Sequence, residues 1–117
     1  MLPAQHRLRK KADHNRVFKK GRRSLCPFFV LLAVKREVDK DAPTRFSFVV
    51  SKKVDKRAPV RNRVRRVLRE SVKTVLTEVK PGYDCIVIAR NATIGKKVPD
   101  VSPTLREIFE KAGILSS

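Results

Sequence analysis

The segment from Ser51 to Glu70, SKKVDKRAPVRNRVRRVLRE, limits the fold more than any other part of the chain. Pro59 stands where a first helical residue tolerates a missing N–H. From there Val60, Val64, Val67, Leu68, Val72, Val75, Leu76 and Val79 recur with helical spacing. A helix over 59–79, ended by Pro81-Gly82, must bury that stripe against another layer. Arg61, Arg65 and Arg69 follow one another at i, i+4 and i+8 along the border of the stripe, while Asn62, Arg66 and Lys73 lie further round toward solvent. One helix thus packs on a core and presents guanidinium groups beside it, an arrangement suited to bidentate phosphate contacts. Lys52, Lys53, Lys56 and Arg57 add cations just before the helix N-terminus, where free backbone N–H groups also favour anions, and one local acid, Asp55, barely dilutes them. The alternative is a solvated face whose arginines lie over apolar neighbours or pair with carboxylates. Only Glu70 and Glu78 are available on this helix, which leaves most of its arginines without an internal partner.

The rest of the chain supplies the opposing layer. Between Lys10 and Lys20, His14, Val17 and Phe18 fall at i, i+3 and i+4, with Gly21 as the stop, which predicts a short amphipathic helix. CPFFVLLAVK, Cys26 to Lys35, reads as a strand, and the turn chemistry of EVDKDAP leads into RFSFVVS with Phe46, Phe48 and Val50 alternating. These two runs predict a hairpin with a long loop. YDCIVIA, Tyr83 to Ala89, reads as a buried strand. Ser102-Pro103 offers a helix start, followed by an apolar face of Leu105, Ile108, Phe109 and Ala112 and closed by Gly113. The order α-β-β-α-β-α predicts an α+β fold in which a small sheet of three or four strands packs with three helices. A length of 117 residues with 41% hydrophobic content suits a single domain over 1–117. Residues 1–9 are expected to form a mobile basic arm, with a frayed, solvated terminus as the alternative.

Charge narrows the function. Lys and Arg number 29 against 11 Asp and Glu, a formal +18 whose self-repulsion a polyanion would relieve. Nucleic acid is favoured over an anionic membrane, because the cations run through folded elements rather than along a polybasic tail or a bulky apolar helix face. The N-terminus lacks the apolar stretch of a secretory signal, and no window reaches the length of a membrane-spanning helix. Cys26 and Cys85 have no metal-ligand spacing and are expected as free thiols in a reducing cytosol. No acidic pair, GxSxG, Walker loop or ligand cluster marks a protein active site, so catalysis in any enzyme containing this chain would fall to another molecule. Phe18, Phe29, Phe46 and Phe48 could furnish a surface on which unstacked bases lie, although core packing is the commoner use of each ring.

RNRVRR, Arg61 to Arg66, with Ser51-Lys52-Lys53 before it and Arg69-Glu70 after it, resembles the signature of the bacterial ribonuclease P protein component. Val17, Phe18 and Gly21 match that family's VFxxG pattern, and with YDCIVIAR as a strand the resemblance runs from about Arg7 to the C-terminus. It implies a left-handed βαβ crossover, against the general handedness rule. It also implies a noncatalytic subunit: an RNA subunit with magnesium hydrolyses the phosphodiester joining the 5′ leader to tRNA, while the protein binds no cofactor itself. On this resemblance Lys52, Lys53, Arg57, Arg61, Asn62, Arg63, Arg65, Arg66 and Arg69 would contact the catalytic RNA. A groove between the first helix and the sheet, with His14, Phe18, Phe29 and Leu32, would hold the single-stranded leader of precursor tRNA. His14 stands where the family often has an aromatic and Leu32 where it can have one, so stacking is expected to be weaker or to fall to His14. A cytoplasmic setting is expected, with no membrane or protein partner. The competing expectations are a ribosomal-type RNA scaffold without a leader groove, and a DNA-binding module that uses 59–79 as a recognition helix.

Overall fold

The computed structural model describes residues 2–116. The elements are α1 (Lys11–Lys20), β1 (Arg22–Leu25), β2 (Phe29–Lys35), β3 (Arg45–Val49), α2 (Ala58–Lys73), β4 (Tyr83–Ala89) and α3 (Val98–Lys111), joined by short 3-10 turns at Ala4–His6, Leu76–Glu78 and Asn91–Thr93. The expected α+β order holds. It gains one element that the sequence pattern hides: β1 forms an antiparallel hairpin with β2, closed where the Cys26 N–H donates to the Phe29 carbonyl at 3.1 Å.

The sheet runs β1-β2-β4-β3. The hairpin expected between 26–35 and 45–51 does not form, because β4 lies between those strands, antiparallel to β2 and parallel to β3. The continuous apolar run of β4 has the pattern of a strand covered on both faces, which a central position satisfies. Arg36 holds the connecting loop 36–44 in place. Its guanidinium donates to the carbonyls of Ala42 at 2.6 Å and Pro43 at 3.0 Å and, across to β4, to the Tyr83 carbonyl at 3.0 Å.

Alternation sorts the sheet residues onto two faces. Phe29, Leu31, Phe46, Cys85 and Val87 join Val64, Leu68 and Val72 of α2 and Leu105, Ile108 and Phe109 of α3 in the main core. On the other face Leu32 and Ile86 pack with Val17 of α1 and Leu8 in a smaller cluster. Gly21 permits this second layer. A Cβ there would lie 2.3 Å from the Val17 carbonyl oxygen and 3.2 Å from Leu32 Cβ, so the α1–β1 junction closes on β2 only without a side chain.

Two helix boundaries differ from the sequence expectation. α2 ends at Lys73 rather than running to Val79. Ser71 Oγ donates to the Val67 carbonyl at 2.7 Å and Thr74 Oγ1 to the Ser71 carbonyl at 2.6 Å, side-chain bonds that compete with continued helix. α3 starts at Val98 instead of after Ser102, with Pro99 in its first turn and the Asp100 carboxylate accepting the Lys97 N–H at 2.8 Å; Pro103 lies inside the helix. The segment expected as a mobile arm is docked. Leu2 and Leu8 are 2% and 4% exposed, Leu8 N–H donates to the Phe46 carbonyl at 2.9 Å, and His6 Nδ1 donates to the Thr44 carbonyl at 2.8 Å. Two leucines with a free strand edge to lean on outweigh the repulsion among the cations between them.

Candidate nucleic-acid interface

The crossover from β3 to β4 places the cations, and it divides them by use. Arg57 and Arg61 help to build the loop itself. Arg57 grips Asp55 through Nε and Nη2, each at 3.0 Å, while its own N–H reaches the same carboxylate at 2.8 Å. Those bonds hold the Asp55 carboxyl down at about 2. Arg61 Nη1 donates to the carbonyls of Lys56 at 2.7 Å and Asp55 at 3.1 Å, fastening the loop to the first turn of α2.

Of the remaining helix arginines, Arg63 and Arg66 face solvent and Arg65 and Arg69 are half-buried. Asn62, Arg63, Arg66 and Arg69 line one shallow concavity with Pro59. Arg65 donates to Asn62 Oδ1 at 2.9 Å, which orients both side chains. Arg63 and Arg66 are exposed and have no hydrogen-bond or ion-pair partner among the described residues. On the neighbouring flank Arg65 and Arg69 meet Arg7 and Arg9 of the docked N-terminal segment around a cleft floored by Phe46 and Phe48. Nε of Arg7 and of Arg69 is buried there without a partner. Sequence reasoning missed the arrival of Arg7 and Arg9, although the flanking Leu2 and Leu8 were its signal. Lys52 is exposed in the turn after β3, and Lys53 opens on a separate cleft with Arg90 and Asn91 beyond the ends of β3 and β4.

The groove expected on the α1 face holds only part of its expected lining. His14 Nδ1 donates to the Lys10 carbonyl at 2.9 Å, and Nε2 shares a hydrogen bond with the Ser47 hydroxyl at 2.8 Å. One turn on along the same side of α1, Phe18 is 52% exposed. Beside α1 the paired positions Leu25, Val30, Ile88 and Val49 form an apolar row across four strands, exposed or half-buried throughout. Two expected members drop out. Phe29 is 0% exposed in the core beneath α2 and α3, on the opposite face of the sheet. Leu32 faces α1 but is 6% exposed, covered by Val17. Residues 29 and 32 differ in parity, so a regular strand cannot show both to one ligand.

A buried charge cluster pins the groove wall. Asp84, on β4 beneath α1, accepts from Arg36 Nη1 at 2.8 Å, from Arg45 Nε and Nη2 at 2.8 Å each, and from Arg16 of α1. Burial pushes the Asp84 carboxyl up, and the bonds from Arg45 and Arg36 outweigh it, so the net shift is downward. Cys85 beside it is buried, which drives its thiol far above the ordinary range. Among the described residues no group of three His, Cys, Asp or Glu side chains comes together to hold a metal ion, and no helix is long and apolar enough to cross a membrane.

Comparison with known proteins places these surfaces in a family. The sequence profile described as Ribonuclease P matches residues 2–113. The ribonuclease P protein component of Gluconacetobacter diazotrophicus is 41% identical over 116 residues, covering 97% of both chains. That of Clostridium acetobutylicum is 37% identical over 111 residues, covering 95% of this chain and 92% of the relative. Among solved structures, the Staphylococcus aureus RNase P protein superposes with a TM-score of 0.79 at 28% identity, covering 95% of this chain and 98% of that one. The Thermotoga maritima RNase P protein gives 0.64 at 27% identity, covering 91% and 93%.

Proposed function

Because this chain belongs to the ribonuclease P protein family, we propose that it serves the ribonucleoprotein by holding the catalytic RNA on one face and the precursor-tRNA 5′ leader on the other. The observation that carries this reading is the division of labour across the sheet. Unpartnered guanidinium groups, Arg63 and Arg66, stand on α2 over one face, while Phe18 and the apolar Leu25-Val30-Ile88-Val49 row lie on the face of α1. Phosphates suit the first surface and unstacked bases the second. One rigid domain between them holds two RNAs in fixed relation.

In this reading the RNA subunit, with magnesium, cleaves the phosphodiester at the mature 5′ end, and the protein supplies binding. Arg63, Arg66, Arg65 and Arg69, with Arg7 and Arg9, neutralise phosphates of the catalytic RNA. Arg57 and Arg61 act at one remove by fixing the loop that carries Lys52 and Lys53. His14 orients the groove wall through Ser47, and Phe18 stacks on a leader base. Cations placed between two polyanions screen their repulsion and lower the magnesium needed to bring them together. The setting is the cytoplasm, where precursor tRNA is made.

Reconstitution tests this. The protein is added to a bacterial ribonuclease P RNA at low magnesium, and release of the 5′ leader from precursor tRNA is followed. Stimulation of cleavage is expected, larger for precursors with a leader long enough to enter the groove. RNA binding without stimulation would replace the proposal with the RNA-scaffold reading.

A further inference from the structure

Five surface cations outside α2, its loop and the N-terminal segment gather at the opposite edge of the sheet. Lys19 and Lys20 end α1, Arg22 and Arg23 begin β1, and Lys35 ends β2, all of them exposed. None has an ion-pair or hydrogen-bond partner among the described residues. Several arginines elsewhere are paired: Arg16, Arg36 and Arg45 with Asp84, Arg57 with Asp55, Arg106 with Glu78. The carboxylates nearest along these segments do not serve the edge. Asp84 is saturated by three arginines, and Glu37 is exposed without an ion pair.

Three of these cations, Lys20, Arg22 and Lys35, border a concavity, while Arg23, paired with Leu32, points to the α1 face. Lys20, Arg22, Ser24 and Lys35 line a cleft that Ala112, just past α3, closes on one side, with half-buried Tyr83 in its wall. The register explains the grouping. Arg22 pairs with Ala33, and Lys35 with Tyr83, so the small Ala33 leaves a depression between longer side chains pointing the same way. The Tyr83 hydroxyl has no partner among the described residues and is free to donate. Lys19 and Lys20 alone would be explained by the negative end of the α1 dipole. Arg22 and Lys35 sit on strands, where no such field exists, and two like charges at diagonal positions on one sheet face repel each other unless an anion lies over them.

We propose that this β1 edge is a third RNA-binding site, one that takes a phosphodiester backbone, with Lys20, Arg22 and Lys35 neutralising phosphates and Tyr83 donating a hydrogen bond. It is separate from the α2 surface. The sheet order places β1 three strands from β3, roughly 14 Å at ordinary strand spacing, and α2 packs over β3 and β4. The inference rests on the ribonucleoprotein reading above. The phosphates come either from a second segment of the catalytic RNA or from the body of the precursor tRNA, and the two sources give different results below.

The test uses full-length protein carrying Lys20→Ala, Arg22→Ala and Lys35→Ala together, with Arg66→Ala as a control on the α2 surface. Affinity is measured against salt concentration, first for ribonuclease P RNA alone and then for precursor tRNA binding to the assembled holoenzyme. Each lost phosphate contact removes about 0.7–0.9 from the log–log slope, so the triple variant should lose about 2 to 3. A reduced slope in the first arm assigns the site to the catalytic RNA; a reduction only in the second assigns it to the substrate. Wild-type slopes in both arms, with the control still reduced, would overturn the site and leave the proposed function standing. If wild-type protein binds neither RNA, the proposed function and this inference fall together. Should the alanine variant unfold, glutamine at the same three positions keeps the stems over the strands and removes the charges, and the same criteria apply.

Discussion

Arg36 Nη1 donates to Asp84 Oδ1 at 2.8 Å, joining the β2–β3 loop to the middle of the sheet, with both side chains all but sealed from water at 5% and 0% exposed. Arg45 and Arg16 reach the same carboxylate, so one buried acid ties together the loop, β3 and α1. Asp84→Asn removes the charge that compensates them. Breaking a buried pair in this way costs about 3–5 kcal/mol, and urea unfolding should show it as a fall in the midpoint at unchanged slope.

The same carboxylate sets an acid limit on stability. Its folded pKa is depressed, so the stability it contributes is complete above the unfolded carboxylate value of about 3.9 and is lost as pH falls through the lower folded value. Wild-type stability measured downward from pH 5 should decline in that window. The decline should be shallower in Asp84→Asn, which has already lost the contribution.

Arg66→Ala should leave the fold nearly untouched, since the side chain is exposed and unpaired. It should reduce the salt slope of affinity for ribonuclease P RNA by about 1. Measuring both quantities on the same preparation separates a lost phosphate contact from partial unfolding.

Phe18 and Phe29 should exchange the roles that composition alone would give them. Phe18→Ala is expected to leave thermal unfolding close to wild type and to weaken binding of leader-bearing precursor relative to mature tRNA by about 1–3 kcal/mol, the worth of one stacked base. Phe29→Ala is expected to cost about 3–5 kcal/mol of stability, with no effect confined to the leader.

Gly21→Ala places a methyl group 2.3 Å from the Val17 carbonyl oxygen. The clash is with backbone, so α1 must lift from β2, at about 1–3 kcal/mol. Thermal melting should register the loss, and Phe18 quenching or leader affinity should register the shifted helix.

The α+β class and the packing helix are legible because Pro59 and the valine-leucine spacing after it leave no other reading. β4 is legible as a strand from YDCIVIA alone, and the Asp inside that apolar run is the visible trace of the charge cluster. The partners of Asp84 are not legible, since Arg16, Arg36 and Arg45 reach it only after the sheet has formed. Docking of residues 2–8 is invisible for a similar reason: two leucines six positions apart have no period, and their burial depends on the free edge of β3. Phe29 is a different case. Its parity with Leu31 rather than Leu32 was readable in the sequence and already excludes it from the α1 face.

The place of β4 bears on how the chain acquires its structure during synthesis. Among the described residues β3 has a full-length strand neighbour only in β4, and β2 gains its second one there too. Residues 83–89 are synthesised after about seven-tenths of the chain, so until then the nascent sheet is confined to the β1–β2 hairpin, with β3 unpaired. Closure waits on contacts distant in sequence, which makes the folding step slow relative to helix formation and sensitive to any truncation before Ala89.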